Sequence, residues 1–117
     1  MSEKRYVTRY LSDVRSQQHP FGRLWELTTH ADSPAISVAY VEMRDDHRHR
    51  NGETEVYFIL EGEGCMTIDN EMIDLRPGTT VLLYPGAVHR ATAYPGMPLR
   101  ALVVCAPAFD PATLVKG

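Results

Sequence analysis

Cysteine is scarce here: of 117 residues, only Cys65 and Cys105 carry a thiol. Two cysteines are too few for a disulfide-stapled scaffold, and each lies inside a strand-like apolar segment. They read as buried thiols, a single bridge between them being the alternative. Neither has a histidine or lysine beside it in sequence to lower its pKa, which disfavours a Cys/His catalytic pair. Long hydrophobic runs are missing too. Apolar runs such as Val81–Tyr84 and Ala101–Ala106 are far short of the ~20 residues that span a bilayer, so no membrane partner is expected. Met1–Gln18 lacks the apolar stretch and small-residue cleavage site of a secretion signal, which makes the cytoplasm the expected location. Basic residues are few. Lys and Arg number 12 against 15 Asp and Glu, a formal charge of −3 with histidines neutral, and the pI is near 5.9. Without a dense basic surface the chain is not expected to bind nucleic acid. Gly-x-Ser-x-Gly, phosphate-loop and dinucleotide motifs are absent, which removes serine hydrolase, kinase and nicotinamide chemistry.

What is present is a sequence of ordinary soluble type, 44% hydrophobic and 23% charged, which disfavours disorder, collagen and coiled coil. A chain of this size supports one core but not two. No linker or repeat divides it. Residues 1–20 are polar and read as an N-terminal arm or as a short helical turn around Leu11–Gln18 ended by Pro20; 21–117 read as one domain. From Phe21 onward, β-branched and aromatic runs alternate with turn residues. Candidate strands are Gly22–Thr28, Ala35–Met43, Glu55–Glu61, Gly64–Ile68, Met72–Leu75, Thr80–Tyr84, His89–Ala93 and Leu99–Cys105. Asp69-Asn70, Arg76-Pro77-Gly78, Tyr84-Pro85-Gly86 and Tyr94-Pro95-Gly96 reverse the chain between them. Strands at this pace predict an all-β, antiparallel sandwich or barrel.

The chemically informative stretch is His47-Arg48-His49-Arg50-Asn51-Gly52-Glu53-Thr54-Glu55-Val56-Tyr57. His47 and His49 are two apart and leave one face if that segment is extended. Glu55 opens the next strand, and the period of two puts Glu55, Tyr57 and Ile59 on one face, with Val56, Phe58 and Leu60 on the other. A carboxylate beginning an apolar strand calls for a partner. His89 begins a later strand, which a hairpin-rich barrel can bring opposite the first cluster. Three neutral imidazoles and one carboxylate make a nitrogen and oxygen site for a divalent transition metal.

These two blocks resemble the paired motifs of the cupins. The first is a glycine, His-x-His, three or four residues, a glutamate, six residues and a glycine; His47, His49, Glu55 and Gly62 occupy those places. The second is glycine, five residues, Pro-x-Gly, two residues and histidine, matched by Gly78, Gly86 and His89. Five residues separate His49 from Glu55, one more than the motif carries, and Asn51-Gly52 can absorb the addition as a loop or bulge. Tyr84 stands in place of the motif's proline, Ala93 where an asparagine is common, and Val41 where the leading glycine falls. Glu53 fits the spacing from His49 and shares the strand parity of Glu55, but loses the spacing to Gly62. Glu55 is therefore the preferred carboxylate.

The resemblance spans roughly residues 40–105 and implies a double-stranded β-helix, or jelly-roll barrel. It also implies a bound divalent ion (Fe, Mn, Ni or Zn) held by His47, His49, Glu55 and His89. The implied function is metal-dependent action on a small oxygen-rich metabolite, with dioxygenase activity ahead of isomerase or lyase activity; a non-catalytic module for a sugar or small acid is the alternative. Tyr57 shares the face of Glu55 and is the candidate catalytic donor or proton relay, the competing reading being a core tyrosine. His19 and His30 lie outside the pattern and read as surface residues. Arg23, Arg90 and Arg100 are candidates to meet an anionic substrate, none singled out by spacing. Trp25 reads as a packing or dimer-contact residue. A homodimer using the Gly22–Thr28 region is expected, because small barrels commonly protect their edge strands by pairing.

Overall fold

Side-chain type and burial alternate together along the strands, and this places a core between two sheets. The computed structural model describes residues 4–46, 49–50, 52–110 and 115–116, with backbone alone for 49, 115 and 116. A 3₁₀ turn at Leu11–Asp13 is followed by β1 (Gln17–His19), β2 (Gly22–Thr28), β3 (Ser37–Met43) and β4 (His49–Arg50). Next come β5 (Thr54–Glu61), β6 (Gly64–Ile68), β7 (Glu71–Leu75) and β8 (Thr80–Leu83). The chain continues through β9 (His89–Ala93), β10 (Leu99–Ala106) and β11 (Val115–Lys116). Every described pairing is antiparallel. One sheet has six strands in the order β1-β2-β3-β10-β5-β8, the other five in the order β11-β4-β9-β6-β7. The architecture is a β-sandwich of jelly-roll type, all-β as the sequence pattern predicts.

The inner faces meet in a core where Ile59, Met66, Leu99 and Ala101 have no exposed surface. In β10 the buried positions are Leu99, Ala101, Val103 and Cys105; in β5 they are Glu55, Tyr57 and Ile59. Gly62 closes β5 at φ +86°, a conformation that L side chains avoid, and a Cβ there would meet the Pro98 carbonyl at 2.4 Å. That glycine lets the β5–β6 turn pass against the start of β10.

The N-terminal region departs from a helical turn reaching Gln18. The 3₁₀ turn ends at Asp13, and Gln17, Gln18 and His19 pair with Leu24, Arg23 and Gly22. No apolar stripe at helical spacing exists there to stabilise a longer helix, whereas the open edge of β2 offers backbone partners. The two thiols are both free: Cys105 points into the core from β10, and Cys65 lies on β6 at a half-buried position of the other sheet.

The outer face of the six-stranded sheet carries a row of alternating charge. Arg23 pairs with Glu42 in register, Glu42 with Arg100, and Arg100 with Glu61. Arg23 Nη2 and Arg100 Nη2 each donate to Glu42 at 3.0 Å, and Arg100 Nη1 donates to Glu61 at 3.1 Å. Partial burial alone would raise the Glu42 pKa, but the two guanidinium groups outweigh it and hold the carboxyl below the usual glutamate range.

Two outcomes follow. Leu99→Ala removes a side chain with no exposed surface and is expected to cost about 3 kcal/mol, read as a lower urea midpoint. Because the folded pKa of Glu42 is depressed, its contribution is present above the unfolded glutamate value and is lost as pH falls through the lower folded one. Stability measured by urea titration between pH 6 and about pH 3 should therefore fall less steeply in Glu42→Gln than in the parent chain.

Candidate metal centre

Glu55 and His89 reach the same point from opposite sheets. Glu55 is the second residue of β5, in register with Leu83 of β8 and Cys105 of β10. His89 opens β9 after the turn at Tyr84–Ala87, where the Ala87 amide donates to the Tyr84 carbonyl at 3.2 Å. Asp69, at φ 54°, clamps the approach: its amide donates to the Val88 carbonyl at 2.7 Å, and its carboxylate accepts the Val88 amide at 3.1 Å. His89 Nδ1 lies 3.0 Å from the Ala87 carbonyl, which fixes a proton on that nitrogen and turns Nε2 inward. Nε2 then stands 3.1 Å from Glu55 Oε1, with 2% and 7% of the two side chains exposed.

The surroundings are acidic. Burial lowers the His89 pKa, but hydrogen bonding and charge from Glu55, the Ala87 carbonyl and the Asp46 charge raise it further, so the net direction is upward. Tyr57 is buried with its ring edge-on to His89, centroids 6.0 Å apart. Burial first, then the negative charges of Glu55 and Asp46, push its hydroxyl well above the ordinary tyrosine value, so it stays protonated. Cys105 Sγ lies 3.7 Å from Glu55 Oε2, and burial followed by Glu55 and Glu53 drives its thiol far above the usual range. It is an unreactive thiol, in keeping with its place in the β10 core pattern.

Above these groups opens a cavity of about 350 Å³ whose lining includes Asp46, Glu55, Tyr57 and Cys105 below and Phe21, Leu24 and Phe109 along the walls. Gln17, His19, Glu26 and His30 stand at the mouth. His19 and His30 are exposed, as a surface reading requires, but they rim the cavity; His19 stacks on Phe21 at 5.0 Å. Among the described residues the lining holds no lysine or arginine.

Of the four ligand candidates, Glu55 and His89 are brought together. His47 lies outside the described residues, and so does the side chain of His49. The backbone sets His49 directly opposite His89 in the β4–β9 ladder. The arginines considered for an anionic substrate are elsewhere: Arg23 and Arg100 belong to the outer charge row, and Arg90 forms a bidentate pair with Asp45 at 2.8 and 2.9 Å. Asp46 and Glu53 are further buried carboxylates near this centre. Asp46 precedes His47 in a wholly polar run, so nothing in the residue pattern marks it as inward. Glu53 carries two signals in the sequence, the spacing from His49 and the parity of Glu55, and its Oε2 accepts the Asp110 amide at 3.2 Å.

The donor set fits a divalent cation. Imidazole nitrogen and carboxylate oxygen face each other at 3.1 Å, and the cavity that Glu55 lines together with Asp46 holds, among the described residues, no lysine or arginine. A cupin domain model matches residues 37–105, more than half of the chain. This chain belongs to the cupin family. An uncharacterised protein of Methanocaldococcus jannaschii, MJ1618, is 31% identical over 109 residues, covering 92% of this chain and 82% of that one. Two solved structures share the cupin fold. A protein from Planctomyces limnophilus has a TM-score of 0.84 at 18% identity, covering 94% of this chain and 96% of its own. Oxalate decarboxylase from Bacillus subtilis, an enzyme with Mn(II) centres, has a TM-score of 0.84 at 16% identity; this cupin covers a third of its length.

The two thiols of this cupin should react very differently. Iodoacetamide at about pH 8, followed by peptide mapping, should modify half-buried Cys65 at least ~10-fold faster than buried Cys105.

Proposed function

We propose that this cupin is a metal-dependent enzyme acting on a small oxygen-rich molecule, with oxygenation favoured ahead of isomerisation or lysis. His47, His49, Glu55 and His89 would hold a divalent transition ion (Fe, Mn, Ni or Zn). The observation that carries the reading is the buried Glu55–His89 pair, whose carboxylate lines a cavity of about 350 Å³. The Mn(II) centres of the oxalate decarboxylase relative support a metal, while the substrate of that enzyme is not carried over.

When bound, a divalent ion supplies Lewis-acid polarisation of an oxygen ligand or, if redox-active, electron exchange with dioxygen. Tyr57, held in its protonated form, donates a hydrogen bond to a substrate oxygen and orients it. Asp46 is the nearby carboxylate able to take a proton from a substrate hydroxyl. Phe21, Leu24 and Phe109 keep the region above the floor apolar, which strengthens each polar contact beneath it. A barrel that holds a sugar or small organic acid without turnover is the second reading, favoured by Tyr57 being a fixed donor.

Elemental analysis of protein purified without a chelating tag should find close to one transition ion per chain. Glu55→Gln and His89→Ala should each lower metal affinity at least ~10-fold while circular dichroism is retained. Wild-type metal content in both variants would remove the assignment. Tyr57→Phe should keep the metal and lower kcat/KM by ~100-fold. Saturable binding of polyols without oxygen uptake or product would favour the sugar-binding reading.

A further inference from the structure

One register row of the six-stranded sheet runs beneath the cavity from wall to wall. Across β2, β3, β10 and β5, the residues Glu26, Ala39, Val103 and Tyr57 stand side by side, and all four line the cavity. The row begins and ends in a polar group. Its two middle members are small and apolar, so the space between the ends stays open. Three strand steps of ~4.8 Å separate the backbones of Glu26 and Tyr57, a span of ~14 Å, from which the two side chains take their own lengths. What is left suits a molecule several bonds long, held at both ends.

The two ends differ in their surroundings. Tyr57 stands beside the Glu55–His89 pair, whereas Glu26, half-buried on the inward face of β2, forms no hydrogen bond or ion pair among the described residues. Other acids of this region are held by arginine: Glu42 by Arg23 and Arg100, and Asp32 by Arg9. Glu26 has instead an apolar wall next to it, since Leu24 precedes it by two residues on the same face, and its register partner Val41 also lines the cavity. A partly desolvated carboxylate on such a wall keeps its cost until a donor arrives. A hydroxyl would supply a hydrogen bond alone. An ammonium supplies the bond and the opposite charge, and charge-assisted bonds are about twice as strong as neutral ones.

We infer that Glu26 is a specificity-determining residue of this cupin, accepting a hydrogen bond from a protonated amine that the substrate carries at the end away from its oxygens. The inference rests on the proposed function, in that the oxygen-bearing end lies against Tyr57 and the metal ligands. The substrate class is then a small amino alcohol or amino ketone whose short apolar middle lies over Ala39 and Val103. Because Glu26 stands at the mouth, the ammonium keeps part of its hydration, and the cost of burying a charge stays small.

Three probes that differ only in their last group test this: aminobutanediol, butanetriol and pentanediol, each with two vicinal hydroxyls at one end and, at the other, an ammonium, a hydroxyl or a methyl group. Each is titrated into the full chain as purified and followed by proton–nitrogen correlation spectra. The ammonium compound should bind at least ~10-fold more tightly than the methyl compound, with the hydroxyl compound between them. Glu26→Gln should bring the three to equal affinity, and Glu26→Asp should restore part of the preference. Elemental analysis should find the metal content of both variants unchanged. Equal affinities in the parent chain, or no saturable binding by any of the three, would overturn the inference. So would an amine preference that survives in Glu26→Gln, which would assign it to the deeper acids Asp46 and Glu55. A parent chain that purifies without a transition ion overturns the metal-dependent reading instead, and the ranking of the three probes still decides the role of Glu26.

Discussion

A carboxylate and an imidazole held 3.1 Å apart, each almost wholly removed from water, are the constraint around which the rest of this cupin is arranged. The two groups belong to different sheets, so their meeting requires β5 and β9 to be positioned to within a fraction of an ångström. The Asp69 clamp on Val88 and the Ala87 carbonyl on His89 fix one side. The β5–β10 and β5–β8 ladders fix the other. Burying such groups is costly in isolation, and each offsets part of the cost for the other, the Glu55 carboxylate raising the His89 pKa. Tyr57 and Cys105 respond to the same field, both held in their protonated forms by burial beside acid.

Much of this architecture was legible from the strand period. Gly22–Thr28, Gly64–Ile68 and His89–Ala93 have the bounds that turn residues and β-branched runs predict. The inward set Glu55, Tyr57, Ile59 follows from parity alone. Other features depend on neighbours distant in sequence. Gln17–His19 is polar, without a strand's alternation, and becomes a strand because β2 has an open edge beside it. Arg23, Arg90 and Arg100 look available in sequence, yet each is engaged by a carboxylate brought alongside by register, Glu42 or Asp45. Asp46 is concealed for the same reason: its burial comes from running alongside β9, where its amide donates to the Ala91 carbonyl.

The two faces of the six-stranded sheet carry separate chemistry on alternate residues. In β5, Glu55 and Tyr57 line the cavity, while Val56 and Phe58 alternate with them on the outer face of the sheet. A change confined to one parity alters one face and leaves the other's side chains in place. This period of two lets a small chain support a polar interior centre together with an apolar exterior on the same strand.

The short pairing of β1 with β2 has a dynamic consequence. Gln17 and His19 stand at the cavity mouth, and the strand that carries them is held by three register pairs of exposed β1 residues. Ladders of that length at a sheet edge open at a small fraction of the global unfolding free energy. Access to the buried centre is therefore separable from the stability of the barrel: the mouth can loosen and close many times within the lifetime of a single folded state, while the strands that hold Glu55 and His89 stay in place.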